Sequence, residues 1–146
     1  MKNITLEKYY QRELELQSRL HDAEKTNDND ALKNIRKEYW KTVNGELDLI
    51  GKTVRYIYKD YKDMRKRNED YIEIYTAHCA GGIAEIVEDL KALKIREFTV
   101  ADDGSSLEEI YKFQECGCKI KEIKHFMRKH FSGEEDTYVA VMWIPF

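Results

Sequence analysis

Leu32, Ile35, Tyr39, Val43, Leu47, Ile50, Val54, Ile57, Tyr61 and Met64 follow one another at intervals of three or four residues. That spacing places side chains on one face of an α-helix. The stripe keeps its phase through Gly45 and Gly51 and predicts one long helix over about residues 30–67, although each glycine costs roughly 1 kcal/mol relative to alanine in a helix interior. Upstream, Leu6, Tyr9, Leu16, Leu20 and Ala23 predict a first helix over about residues 5–25, with Thr5 as N-cap and Glu13 interrupting the apolar face. The "TNDND" between them is a polar turn, and Asn29 or Asp30 can cap the second helix. The first helix then folds back on the first half of the long one as an antiparallel hairpin. The second half needs another cover, either the C-terminal part of the chain or a second subunit.

After "RKRNED" the period changes. "YIEIYT" (71–76) is short and rich in β-formers, "GIAEIVEDLKALK" (82–94) sets Ile83, Ile86, Leu90 and Leu93 on one helical face, and "IREFTVA" (95–101) reads as a strand. "SLEEIYKFQEC" (106–116) is a helix stopped at Gly117, "CKIKEIKHF" (118–126) a strand, "SGEED" an exposed loop and "TYVAVMWIPF" an apolar last strand. The fold class is α+β. A helical hairpin (1–67) precedes a β-α-β-α-β-β domain (68–146) with a four-stranded sheet and two helices on one face, joined near residues 66–70.

Composition narrows the class. With 146 residues, 36% charged, 42% hydrophobic and 12% aromatic, the chain folds around one main core rather than staying disordered. The only proline is Pro145, which leaves the helices uninterrupted. Three cysteines, two of them in Cys116-Gly117-Cys118, do not form a disulfide framework. No apolar leader and no run of eighteen apolar residues occurs, so the expected compartment is the cytoplasm, away from membranes. The net charge of −3 hides an asymmetry: residues 1–32 sum to −2, residues 33–67 to +6 and residues 68–146 to −7. A basic middle beside an acidic C-terminal part fits charge-specific contact with a partner, or self-association.

"HCAGGIAE" (78–85) is the stretch closest to a catalytic motif. Cysteine-dependent phosphatases use His-Cys-x-x-Gly-x-x-Arg between a strand and a helix, so that loop amides and the arginine hold the phosphate while the thiolate attacks. His78, Cys79 and Gly82 fit, but Glu85 stands where the arginine is needed, and a carboxylate repels both phosphate and thiolate. The stretch reads as a strand-to-helix turn eased by Gly81 and Gly82. Cys116, Cys118, His125 and His130 are zinc-type ligands, but Cys-x-Cys across a helix stop does not match knuckle spacing, and Cys118 and His125 fall on opposite faces of a strand. "ADDGSSLEE" is sufficiently explained as a turn and helix cap. No phosphate-binding P-loop, zinc-protease helix or serine elbow occurs, and no cofactor or metal is expected.

Lys52, Arg55, Lys59, Lys62 and Lys66 recur at three and four residues and form a second stripe, out of phase with the apolar one. It extends roughly 20 Å along a helix, and Tyr56 and Tyr58 add aromatic surface, while Asp60 and Asp63 dilute the field. The solvated face of an amphipathic helix has the same pattern.

Ile95, Phe98, Thr99, Ser105, Ser106, Phe113, Gly117 and Lys119, within "IREFTVADDGSSLEEIYKFQECGCKIKEI", carry a resemblance. Residues 70–146 resemble a small domain of unassigned function found in accessory proteins of phages, plasmids and integrative elements of Gram-positive anaerobes. Ala101-Asp102 departs from that pattern, where serine is expected. The resemblance implies a mobile-element accessory protein, with antagonism of a host defence such as CRISPR as one role, and it transfers no catalytic residue.

The resulting expectation is a non-enzymatic binding protein that occludes a larger protein or nucleoprotein partner, an anti-CRISPR acting on a Cas effector being the most concrete version. Lys52, Arg55, Lys59, Lys62 and Lys66, with Tyr56 and Tyr58, are the first candidate contact surface; Glu134, Glu135 and Asp136 are the second. A direct nucleic-acid binder is the alternative, a Cys79-dependent phosphatase the second one. A homodimer is favoured by the length of the apolar stripe.

Overall fold

In the computed structural model, residues 2–78, 81–102, 104–130 and 133–146 are described. Helix α1 (Ile4–Lys25) is capped by Asn3, whose side chain accepts from the Leu6 N–H at 3.0 Å, two residues before the expected Thr5. Asp28 caps α2 (Asn29–Tyr39) in the same way through the Ala31 N–H. The helix then widens into a π-turn (Trp40–Asn44), in which the Gly45 N–H reaches back to the Trp40 carbonyl, and continues as α3 (Gly45–Ile50).

The expected continuous helix over 30–67 is corrected at Gly51. The chain leaves helical geometry there and resumes as α4 (Val54–Arg67). Asp89, on a later helix, sits at this break: its carboxylate accepts from the Thr53 N–H at 2.8 Å and from the Thr53 hydroxyl, and a Cβ at position 51 would overlap it. The turn also follows from α1. Tyr39 and Tyr58 both reach the Glu13 carboxylate, whereas nineteen helical residues would part them by about 28 Å. The glycine that the apolar phase seemed to tolerate is where α4 turns back across α1.

The sheet is mixed, with strand order β1-β2-β4-β3: β1 (Ile72–Ile74) runs parallel to β2 (Glu97–Val100), and β4 (Gly133–Trp143) is antiparallel to both β2 and β3 (Lys119–His130). Helix α5 (Ile83–Ala92) connects the parallel pair, and α6 (Ser106–Glu115) follows β2 and packs beside it. Ile72, Phe98 and Met142 share one register row and therefore one face, where the Phe98 ring lies 4.9 Å from that of Phe113 of α6.

On the opposite face the far end of the β3–β4 hairpin reaches back over the sheet. β1 and β3 are the two edges of the sheet, yet Arg128 on β3 bonds the Glu73 carboxylate on β1 at 2.7 and 2.9 Å, so the outer hairpin curls across. Arg67 and the Tyr75 hydroxyl complete the shell around Glu73, a charge that would be costly to bury alone. The strand expected at 118–126 thus extends to His130, and the expected 134–136 loop belongs to β4. Cross-strand pairs such as His125 with Asp136, at 2.7 Å, hold the extension together.

One buried cluster runs from Leu6 and Leu16 through Val54, Ile57 and Tyr61 to Phe98 and Met142. The second half of the apolar stripe is therefore covered within the chain, and that stripe no longer calls for a second subunit. Among the described residues no helix is long and apolar enough to cross a membrane.

Candidate interaction surface

Helix α4 begins after the Thr53–Asp89 cap and ends at Asn68, which adopts φ 53°. Its apolar side meets α1 and β1, and its flank toward α1 is lined by carboxylates. Glu7 receives two hydrogen bonds from the Arg65 guanidinium, at 3.1 and 3.0 Å, and one from the Tyr61 hydroxyl. Burial alone would raise the Glu7 pKa; these bonds and one from Gln11 outweigh it and bring it down to about 2. Glu13, nearly fully buried, accepts from Lys62 Nζ at 3.1 Å and from the hydroxyls of Tyr39 and Tyr58. Burial and the Glu13 charge push the Tyr39 hydroxyl up to about 12, so these phenols act as neutral donors.

The five cations of the basic stripe are thereby sorted. Lys62 is withdrawn onto Glu13 and over the Tyr58 ring. Arg55 pairs with Asp48 at 3.3 Å and lies 5.9 Å from the centre of the exposed Trp40 ring. Lys52 stays largely exposed, 3.9 Å from Glu85. Lys59 and Lys66 are exposed, and neither has a carboxylate partner among the described residues. Lys59 and Lys66 stand seven residues apart, two helical turns, so the free charge of α4 lies along its outside, while Lys52 sits in the turn before the helix begins at Val54. Of the two tyrosines, Tyr56 is half-buried and Tyr58 is buried at 2% exposure. The expected stacking surface is corrected to Tyr56 alone, because the Tyr58 hydroxyl is drawn inward by Glu13.

Glu134, Glu135 and Asp136 are exposed at the start of β4, on an element separate from α4. Asp136 is engaged by His125, whose ring stacks on Tyr138. The same hairpin face exposes Ile123, Met127 and Tyr138.

The catalytic alternatives fare differently. Cys79 lies outside the described residues. Glu85, in place of the arginine a phosphate loop needs, folds over Gly81, where a Cβ would strike its carboxylate. Gly82, at φ −79°, has open space around it. Cys118 is buried, and burial, helped by Cys116, raises its thiol pKa to about 11, so it stays a thiol at neutral pH. Among the described residues no three His, Cys, Asp or Glu side chains converge on a metal position.

Sequence reasoning passed over Glu7 and Glu13 as partners. The signal was present at Glu13, a charged residue at a position the apolar stripe of α1 assigns to the core.

Residues 56–142 match the model of a family described as a domain of unknown function, DUF7698. The chain belongs to this family. The DUF7698 match opens inside α4, so Lys59 and Lys66 fall within it and Lys52 just before it, and it runs on to Met142 in β4. No curated protein and no solved structure matches the chain.

Proposed function

We propose that this protein is a non-enzymatic binding protein that docks the outer face of α4 on an acidic surface of a larger protein or nucleoprotein and blocks it sterically. The observation that carries the reading is the exposed pair Lys59 and Lys66 on the outside of α4, left over after Arg55 and Lys62 are spent on carboxylates of the chain, with Lys52 exposed in the turn before the helix and held only loosely by Glu85. Lysine side chains without internal partners hold their charge in water and give it up to whichever surface matches them. Asp63 lies between Lys59 and Lys66 on the same side of the helix and repels a phosphate track, and Tyr58 offers no ring for a base. Both features favour point contacts with protein carboxylates over the alternative of direct nucleic-acid binding.

The resemblance of residues 70–146 to accessory domains of phages and integrative elements supports a mobile-element origin, and with it a host-defence complex, a CRISPR effector most concretely, as the partner. The test is an interference assay in a CRISPR-immune bacterial strain expressing the protein. Phage plaquing rises by orders of magnitude with the wild type and returns to the immune level with Lys52→Glu/Lys59→Glu/Lys66→Glu. Unchanged immunity in the wild-type strain, across the effector types assayed, contradicts the defence-inhibitor reading.

A further inference from the structure

A cavity of about 540 Å³ opens between the first turn of α1, the C-terminal half of α4, the end of α5 and the N-terminal ends of β1 and β2, and neither Lys59 nor Lys66 lines it. Its floor is apolar: Tyr61, Met64, Ile72, Leu93 and Ile95 line it, all buried. Its mouth is cationic, with Lys2, Lys94 and Arg96 on the rim. The two carboxylates there do not cancel this charge. Glu97 is bonded to Lys121 at 2.8 Å, and Asp70 also has a partner of its own. Lys2 and Lys94 have no carboxylate partner among the described residues.

Lys94 is informative by its backbone. It follows α5 at φ 59°, with its N–H on the Lys91 carbonyl and the Ile95 N–H on the Leu90 carbonyl, the helix-ending geometry in which glycine is preferred. A favourable interaction with the α5 C-terminus accounts for one cation near it. It does not account for Lys2, which comes from the opposite wall.

We propose that this cavity binds an amphipathic anion, an unbranched apolar chain lying on the Met64–Ile72–Leu93 floor with its anionic head among Lys2, Lys94 and Arg96. The volume is that of an ordinary small-molecule site, and an apolar floor with a few polar groups at one end orients such a ligand. A carboxylate and a phosphate monoester head share this chemistry. A neutral head group forgoes the charge-assisted bonds that two lysines and a guanidinium offer.

The test titrates the protein with dodecanoate and dodecyl phosphate, each below its micellar concentration, and with dodecanol below its solubility limit, by calorimetry. The variant is Lys2→Ala/Lys94→Gly, chosen because glycine suits the backbone at 94 better than lysine does; its thermal unfolding should match or exceed that of the wild type. At least one of the two anions binds one-to-one, at least tenfold tighter than dodecanol, and the double variant loses that preference. Whichever anion binds more tightly identifies the head group. No saturable one-to-one binding of either anion, equal binding of dodecanol, or an undiminished preference in a folded double variant overturns the proposal.

Discussion

Lys62 Nζ donates to Glu13 at 3.1 Å, and this one contact divides the basic stripe of α4 into a structural half and a free half. Breaking a buried pair leaves the remaining charge unpaired, at a cost of several kcal/mol, whereas an exposed lysine is worth little to the fold. Lys62→Met is therefore expected to lose ~2 kcal/mol or more in urea denaturation while leaving partner binding within about twofold. Lys59→Met should do the reverse, with stability unchanged within about 0.5 kcal/mol and binding weakened.

Gly51 and Gly82 look alike in sequence and differ in the structure. Gly51→Ala puts a methyl group into the Asp89 carboxylate that caps α4, and is expected to cost on the order of 2–3 kcal/mol, through overpacking and a lost buried cap. Gly82→Ser is expected to be neutral or mildly stabilising, since nothing crowds the position and serine is a preferred N-cap. Thermal unfolding of the two variants side by side reads this difference directly.

Two carboxylates, the half-buried Glu7 and the buried Asp60, pull stability in opposite directions with pH. Glu7 is lowered from its ordinary 4.5 to about 2, so its contribution is present above pH 4.5 and is lost as pH falls through about 2. Asp60 is raised from 3.8 to about 7, chiefly by burial, against a hydrogen bond from the Tyr75 N–H and with Asp63 and Glu73 adding repulsion. The folded state holds the Asp60 proton that the unfolded chain releases, so stability falls between about pH 4 and 7 and levels off above. Asp60→Asn keeps an acceptor for Tyr75 and is expected to stabilise the protein at pH 8 by a few kcal/mol at most, on the order of 1–3, and hardly at all at pH 4. An equal effect of the substitution at both pH values would contradict this assignment.

What the residues disclosed in advance follows from how local each signal is. Periodicity located α1, α5, α6 and the four strands to within a few residues, because a core-facing stripe is written into each segment. The break at Gly51 was hidden because Val54, Ile57, Tyr61 and Met64 stay in phase with the preceding stripe, while its cause, Asp89, lies on another helix. Likewise the reach of β3 to His130 depends on Glu73 and Glu69 capturing Arg128 across the sheet, a long-range contact that alternation alone does not encode. The basic stripe was legible as five cations. Which of them remain free was decided by Glu13, Asp48 and Glu85, residues on other helices.

Binding through the outer face of α4 is tested most directly by capture from a bacterial host lysate on immobilised protein, comparing the wild type with Lys52→Glu/Lys59→Glu/Lys66→Glu, each with and without added nuclease. A protein species is expected to be retained by the wild type in both samples, weakened by salt and lost from the triple variant. A retained species that ignores all three charge reversals would contradict the assignment of that face, and capture that disappears with nuclease would make the protein a nucleic-acid binder instead.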